Sequence, residues 1–189
     1  AKVRQVLAES LKNTHNLPED IVQSVIKDTD AVAVPFIKYY ADLNAEDLIK
    51  ILDIPSINKQ KAVAQRLNLP NEISEYIVER CPEEVVGVLI SNETANIHEK
   101  TYNTIVEKYR QSEDIKKRLV YRTELPTSVI EKIANSLSED LKRRLILSHN
   151  LPADLATDII EEVKEKTTLR ISEDYSSDKQ IEELVHQLY

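Results

Sequence analysis

The dipeptide Leu-Pro recurs along this chain at a regular interval, and this recurrence restricts the fold more than any other feature. It begins at Leu17, Leu69, Leu125 and Leu151. Leu17 and Leu69 are 52 residues apart with Leu43 midway between them, and Leu125 and Leu151 are 26 residues apart. A fixed period of this length is typical of a chain built from tandem structural repeats.

A second series of residues lies 13 positions before the first and repeats with the same step. Its members are Asp30, Ser56, Pro82, Ser112 and Ser138. The steps between them are 26, 26, 30 and 26 residues, and the first series also has a step of 30, from Ala95 to Leu125. Because both series lengthen in the same repeat, we infer a single insertion of about one helical turn between Ala95 and Arg110.

Each repeat is predicted to form two short helices. The first starts at Leu-Pro, because Pro suits the first helical position, and apolar pairs then follow with helical spacing. These pairs are Ile21 and Val25, Ile73 and Ile77, Val129 and Ile133, and Leu155 and Ile159. The second helix is capped by the Ser or Asp of the second series. It ends near an Asn in the left-handed conformation, at Asn16, Asn68 or Asn150.

The second helices should place apolar residues three and seven positions after their caps in the core. Those residues are Ala33, Ile37, Val85, Leu89, Ile115, Leu119, Leu141 and Leu145. One helix pair cannot bury its apolar stripe alone, so neighbouring pairs must stack. The predicted fold is all-α, a superhelical, HEAT-like solenoid of about six short antiparallel helix pairs. We expect Leu69, Leu125 and Leu151 to be buried at the joints between repeats.

The periodicity also predicts the domain organisation. Residues 1–166 should form the helical-repeat domain. Residues 167–189 should form a polar linker followed by a short amphipathic helix at the C-terminal end.

Composition limits the classes of function. A single Gly argues against hairpins and against loops that cradle phosphates, and a net charge of −8 disfavours duplex nucleic acid as a partner. Cys81 is the one cysteine, so no intrachain disulfide is expected, and no apolar run is long enough to span a membrane. We expect a cytoplasmic protein, and the absence of Met indicates a processed or partial chain.

No residue pattern specifies a reaction, a metal or a cofactor, and none of the three is expected. The histidines lack the spacing of a helical zinc site, and His15 and His149 share one register near helix ends. Cys81 has no nucleophile signature around it and is interpreted as a partly buried structural thiol. The eight Tyr and one Phe either pack at helix ends or line a binding groove.

Several core and cap segments resemble those of a known family. They are residues 30–37, Leu43 with residues 47–49, then Ala62, Ala64, Arg66 and Leu69, then Val85, Val86, Leu89, Asn92 and Ala95. Together they resemble the bacterial family catalogued as domain of unknown function 2336, well over residues 1–110 and loosely beyond. The resemblance implies a bacterial, cytoplasmic protein of helical repeats with an accessory or regulatory role, and it carries over no catalytic residue.

Two matching runs of cations are the most distinctive polar feature. They are Lys116, Lys117 and Arg118 in one repeat and Lys142, Arg143 and Arg144 in the next. Stacked repeats place equivalent residues side by side, so the six should form a basic ladder that binds an anionic partner. On a helical wheel Lys116 and Lys142 should be exposed or at a groove edge, and Lys117 and Arg143 should lie opposite the core. The alternative is a solvated helix face that neighbouring acids balance.

The sequence therefore favours a non-catalytic protein-interaction or regulatory scaffold with a protein partner. The alternative is a binder of nucleic acid or another polyanion that uses the ladder. An enzyme is supported by no motif.

Overall fold

The chain folds into helices throughout the part that the structure describes. The computed structural model describes residues 2–11, 13–149 and 151–161, and within these ranges it contains no strand. The helices are α1 (Lys2–Leu11), α2 (Glu19–Lys27), α3 (Asp30–Tyr39), α4 (Ala45–Leu52), α5 (Ile57–Ala64), α6 (Asn71–Arg80), α7 (Glu83–Ile90), α8 (Glu99–Lys108), α9 (Glu113–Tyr121), α10 (Thr127–Ala134) and α11 (Glu139–Ser148). Residues 153–161 are also helical. The polar linker and amphipathic helix predicted for residues 167–189 lie outside the described residues.

The helices stack in two layers, which confirms the predicted solenoid. In the first layer the odd-numbered helices α1, α3, α5, α7, α9 and α11 each contact the next one in the series. In the second layer α4, α6, α8 and α10 do the same, and α2, α4 and α6 pack on the first-layer helices that follow them. Each repeat thus contributes one helix to each layer, and the core runs between the layers without a break.

The helix ends follow the predicted chemistry in most repeats. Pro18, Pro70 and Pro126 immediately precede α2, α6 and α10, where a missing N–H costs nothing. The hydroxyls of Ser56 and Ser112 cap α5 and α9 by accepting backbone N–H groups. The equivalent side chain of Ser138 makes no such bond at α11.

Two of the three predicted asparagines are in the left-handed conformation. Asn16 has φ 55° and Asn68 has φ 51°, while Asn150 lies outside the described residues. The N–H of Asn16 donates to the Asp42 carboxylate at 2.8 Å, and the N–H of Asn68 donates to the Thr94 hydroxyl at 3.2 Å. Both bonds join residues 26 apart, so the turn of one repeat is tied to the same turn of the next. The bond from Asn16 lowers the pKa of Asp42, with a smaller contribution from His15.

Most of the predicted core positions are buried, but the first pair was wrong by one residue. Ile21 is 39% exposed, and Val22 and Ile26 enter the core instead. Leu69 is 1% exposed, whereas Leu125 and Leu151 are only partly buried against the core. The error in α2 arises because both Ile21–Val25 and Val22–Ile26 have helical spacing, so periodicity alone could not choose between them.

The insertion lengthens the connections on both sides of α8. Helices α4, α6 and α10 begin two residues after Leu43, Leu69 and Leu125, whereas α8 begins four residues after Ala95. Helix α8 has 10 residues, as α6 has, but four residues separate it from α9 where two separate α6 from α7. Compared with the α6 repeat, the extra turn is therefore shared between the connection from α7 to α8 and the connection from α8 to α9.

A row of polar side chains joins successive repeats at the ends of the first-layer helices. Its members lie three residues before the first-series positions and are Tyr40, Arg66, Asn92 and Arg122; we call them the latch residues. Each forms hydrogen bonds with main-chain atoms of the preceding repeat. Tyr40 accepts the N–H of Leu17 at 3.1 Å, and Arg66 donates to the carbonyl of Ile37.

The two later latch residues span more than one carbonyl each. Asn92 donates to the carbonyls of Ala64 at 2.9 Å and Arg66 at 2.7 Å. Arg122 donates to Ile90 and Asn92 at 2.8 Å and to Ala95 at 2.9 Å. The last carbonyls of a helix have no partner within the helix, so these side chains satisfy groups that would otherwise be left open at each joint.

Truncation of a joint leucine should measure how much the stacking contributes. We expect Leu69→Ala to lower the free energy of unfolding by about 2–4 kcal/mol, because it opens a cavity where the side chain is buried. The matched control is Leu67→Ala two residues earlier, since Leu67 is 77% exposed and its truncation should cost less than about 0.5 kcal/mol. Urea denaturation followed by circular dichroism measures both. Similar losses for the two variants would contradict the placement of Leu69 in the core.

Candidate functional site

The predicted six-residue ladder does not exist as such, because two of its members are buried. Lys116 is 8% exposed and Lys142 is 1% exposed. The ammonium group of Lys116 donates to the carbonyl of Ser136 at 3.0 Å and to Glu113 at 2.8 Å. The wheel argument treated each helix as covered on one side, but Lys116 reaches the end of the second-layer helix α10. Both lysines are buried, and their predicted exposure was wrong.

The remaining four cations lie on the outer surface of the first layer, on the adjacent helices α9 and α11. Lys117, Arg118, Arg143 and Arg144 are exposed or half-buried, and we call them the basic cluster. Within the described residues neither Lys117 nor Arg143 forms an ion pair or a hydrogen bond. The sequence predicted that these two residues lie opposite the core, and their exposure confirms it.

Arg118 is held in place by its neighbours on α7 and α9. Its Nε donates to Asp114 at 2.6 Å, and a terminal nitrogen donates to the Ser91 hydroxyl at 2.8 Å. The side chain lies across the backbone of Gly87, the one glycine of the sequence. A Cβ at Gly87 would come within 3.0 Å of Nε. Glycine in the middle of a helix costs about 1 kcal/mol relative to Ala, and here it provides the space that Arg118 occupies.

The exposed surface of α9 and α11 is ordered into parallel rows because helical residues three or four apart share a face. Asp114 and Asp140 form an acidic row near the helix starts, and the basic cluster follows one turn later. Tyr121 and Leu147, which we call the apolar edge, come at the helix ends and are 53% and 81% exposed. The guanidinium of Arg144 lies 5.0 Å from the centre of the Tyr121 ring.

Two shallow grooves run beside the basic cluster. The first, of about 390 Å³, is lined by Ser91, Glu93, Asp114, Lys117, Arg118, Tyr121 and Arg122. The second, of about 360 Å³, lies on the other side of Arg118 and is lined by Lys38, Gln65, Val88, Ser91, Asn92 and Arg118. Arg118 separates the two, so the side chain that Gly87 admits also shapes this surface.

A larger cleft of about 950 Å³ opens where the insertion lengthens the connection between α7 and α8. Its walls include Glu93, Asn96, Tyr102, Arg122 and His149. Arg122 lies beneath it as a latch residue, and its Nε has no hydrogen-bond partner among the described residues. The cleft could not be predicted from the sequence, although the step of 30 residues marked its position.

The other titratable candidates lie in three separate surroundings. The Cys81 thiol is buried, and burial, with a smaller effect of the Asp53 charge, raises its pKa to about 11. His15 is exposed beside Asp42 at 3.2 Å, and His149 Nε2 lies 3.1 Å from the carbonyl of Val120. The described residues contain no cluster of three or more His, Cys, Asp or Glu side chains that could hold a metal ion.

The aromatic residues divide between buried and exposed positions. Phe36 and Tyr40 stack in the core with ring centres 4.7 Å apart, and Tyr102 is buried beside Arg122. Tyr39 and Tyr121 are exposed at equivalent ends of α3 and α9. In the part of the chain that the structure describes, no helix is long and apolar enough to cross a membrane.

The two stacked layers, the short helices and the side-chain bonds between repeats define an α-solenoid repeat protein. The sequence model of a bacterial family, described as an uncharacterised protein conserved in bacteria (DUF2336), matches residues 32–189. The chain belongs to this family. The match reaches further toward the C-terminal end than residues 1–110, where the resemblance in the sequence was strongest. No curated protein and no solved structure matches the chain.

The environment of Cys81 predicts a thiol of low reactivity. With its pKa raised from 9.0 to about 11, the thiolate fraction at pH 8 should be about a hundredfold below that of an unpaired, exposed thiol. A chromogenic disulfide reagent at pH 8 should therefore label Cys81 slowly in the native protein and rapidly in denaturant. Equal rates in both states would show that the thiol is accessible and activated.

The contact between Gly87 and Arg118 can be tested through stability. Gly87→Ala removes a helix-weakening residue, a gain of about 1 kcal/mol, but its Cβ displaces Arg118. In an Arg118→Ala background we expect the full gain, and in the natural background a smaller gain or none. Chemical denaturation of the four proteins in this double-mutant cycle measures the difference. An equal gain in both backgrounds would mean that the two residues do not interact.

Proposed function

We propose that this protein is a non-catalytic interaction module whose binding surface is the outer face of α9 and α11. The unpaired cations Lys117 and Arg143 beside the exposed apolar edge are the observation that carries the proposal. Two exposed cations need no partner for stability, and a single exposed apolar residue is ordinary. Their combination on adjacent helices, with an arginine stacked on a tyrosine, has the composition of a binding hot spot.

The rigidity of this surface also supports the proposal. Arg122 joins α9 to the end of α7, and α11 packs on α9 over the continuous core, so α9 and α11 present their side chains without a large ordering cost on binding. Arg118 is already fixed by Asp114 and Ser91. A partner would therefore meet a surface that is largely preorganised.

Binding of nucleic acid or another polyanion is the second candidate, and the basic cluster is the observation that favours it. Four cations on adjacent helices could neutralise a few phosphates. Asp114 and Asp140 lie about one turn away on the same faces, and the chain as a whole has a net charge of −8. The acidic surroundings favour the first candidate.

Charge reversal tests the surface directly. We expect Lys117→Glu with Arg143→Glu to leave the melting temperature within a few degrees, because exposed charges contribute little to stability. The same double variant should lose the partners that the natural chain retains in a pull-down from a bacterial lysate, after each is purified and tested alone. Retention on heparin at moderate salt measures the polyanion alternative.

The matched control is Lys50→Glu with Arg80→Glu, which reverses two exposed cations on the second-layer helices α4 and α6. It has the same net charge as the test variant and should bind partners as the natural chain does. If both double variants lose binding equally, net charge rather than this surface governs the interaction. If neither loses it, the outer face of α9 and α11 is a solvated surface with no role.

A further inference from the structure

We propose that the outer face of α9 and α11 binds an extended acidic segment of a partner protein, which lies across the two helices. Its carboxylates contact the basic cluster and an adjacent apolar side chain contacts the apolar edge. The inference rests on the proposed interaction function and specifies the class of partner that the surface accepts.

The order of the rows determines how a segment can lie. Along each helix the surface changes from acidic to basic to apolar over about two turns, with Asp114, Lys117 and Tyr121 on α9 and Asp140, Arg143 and Leu147 on α11. A segment parallel to a helix would meet all three kinds of side chain within about 10 Å. A segment that crosses the helices meets the same kind on both, so its charge pattern need not change along its length.

The spacing of the two helices sets the spacing of the carboxylates. Packed helices have axes about 8–10 Å apart, and an extended segment in the polyproline II conformation advances about 3.1 Å per residue with three residues per turn. Acidic residues three positions apart would therefore lie about 9 Å apart on the same side of the segment, one over Lys117 and the next over Arg143. This register distinguishes a segment that fits from one with the same charge in a contiguous block.

Arg118 and Arg144, which are next to Lys117 and Arg143 in the sequence, add specificity to the binding of the segment. Asp114 and Ser91 fix Arg118 over Gly87. Arg118 therefore loses little further side-chain entropy when a partner binds. Arg144 lies over the Tyr121 ring at 5.0 Å, which places one guanidinium of the basic cluster directly against the apolar edge. A carboxylate followed by an aliphatic or aromatic side chain matches that junction.

A nucleic-acid backbone fits the same surface less well. Its phosphates form a continuous anionic track, and recognition needs cations along a comparable length. Here the basic cluster is bounded by Asp114 and Asp140 on one side and by Tyr121 and Leu147 on the other. A short acidic peptide places two carboxylates within these bounds, whereas a duplex would extend over the acidic row.

The test uses the full chain and fluorescein-labelled peptides of twelve residues in polarisation measurements at low salt. One peptide carries Asp at every third position with Leu after each Asp, and the other has the same composition with its four Asp contiguous. We expect the spaced peptide to bind at least about tenfold more tightly, and Lys117→Glu with Arg143→Glu to weaken it by at least about tenfold. Tyr121→Ala with Leu147→Ala should weaken the spaced peptide and leave the contiguous one unchanged.

Five outcomes would overturn the inference. Equal binding of the two peptides would mean attraction without register, and equal binding to the control variant Lys50→Glu with Arg80→Glu and to the double variant would place the peptide elsewhere. Tighter binding of a twelve-nucleotide single strand, lost in the double variant, would assign the cluster to nucleic acid.

If purified protein partners depend on Lys117 and Arg143 but neither peptide binds, the interaction function stands and the acidic segment is wrong. If neither peptides nor proteins depend on these residues, both proposals fail.

Discussion

Each first-layer helix between α3 and α7 ends in carbonyl groups that a side chain of the following repeat satisfies. Arg66 bonds to the end of α3, Asn92 to the end of α5 and Arg122 to the end of α7. Helices of 8–10 residues are too short to be stable alone in water. Stacking of apolar faces supplies most of the driving force, and the latch residues make that stacking specific, because a displaced repeat would leave buried carbonyls unpaired.

The latch also explains how the structure tolerates its irregular repeat. The insertion lengthens the connection between α7 and α8, and Arg122 spans it by bonding to Ile90, Asn92 and Ala95. An arginine has more donors than an asparagine or a tyrosine, so it can hold a longer connection against the helix end. The cleft above it follows from the same extra residues, while the stacking of α9 on α7 is preserved.

The fold could be predicted because the repeat is encoded in residues whose roles are local. Leu-Pro, the capping serines and the left-handed asparagines act within one or two turns, so their spacing shows the architecture. The burial of Lys116 and Lys142 could not be predicted in the same way. A helical wheel shows the angle between a lysine and the core residue beside it, but it does not show that a second layer of helices covers that angle as well. For the same reason periodicity could not separate Ile21 from Val22.

The binding surface was predictable only in part. Lys117 and Arg143 are opposite the core, as their register indicated, but nothing in the sequence connects Gly87 with Arg118, which lies 31 residues later. A lone glycine in a helix suggests a close approach of some neighbouring group. Only the packing of α9 on α7 identifies that group as a guanidinium, and with it the shape of the grooves on either side.

In every latch bond the side chain belongs to a later repeat and the backbone group belongs to an earlier one. This direction also fixes the order in which the two partners are synthesised. A ribosome delivers the chain from its N-terminal end, so the carbonyls at the end of α3, α5 or α7 emerge before the side chain that satisfies them. Each of these helices therefore ends in unpaired carbonyl groups until the next repeat has been synthesised. A chain truncated within this region would keep such unpaired carbonyl groups at the end of its last first-layer helix.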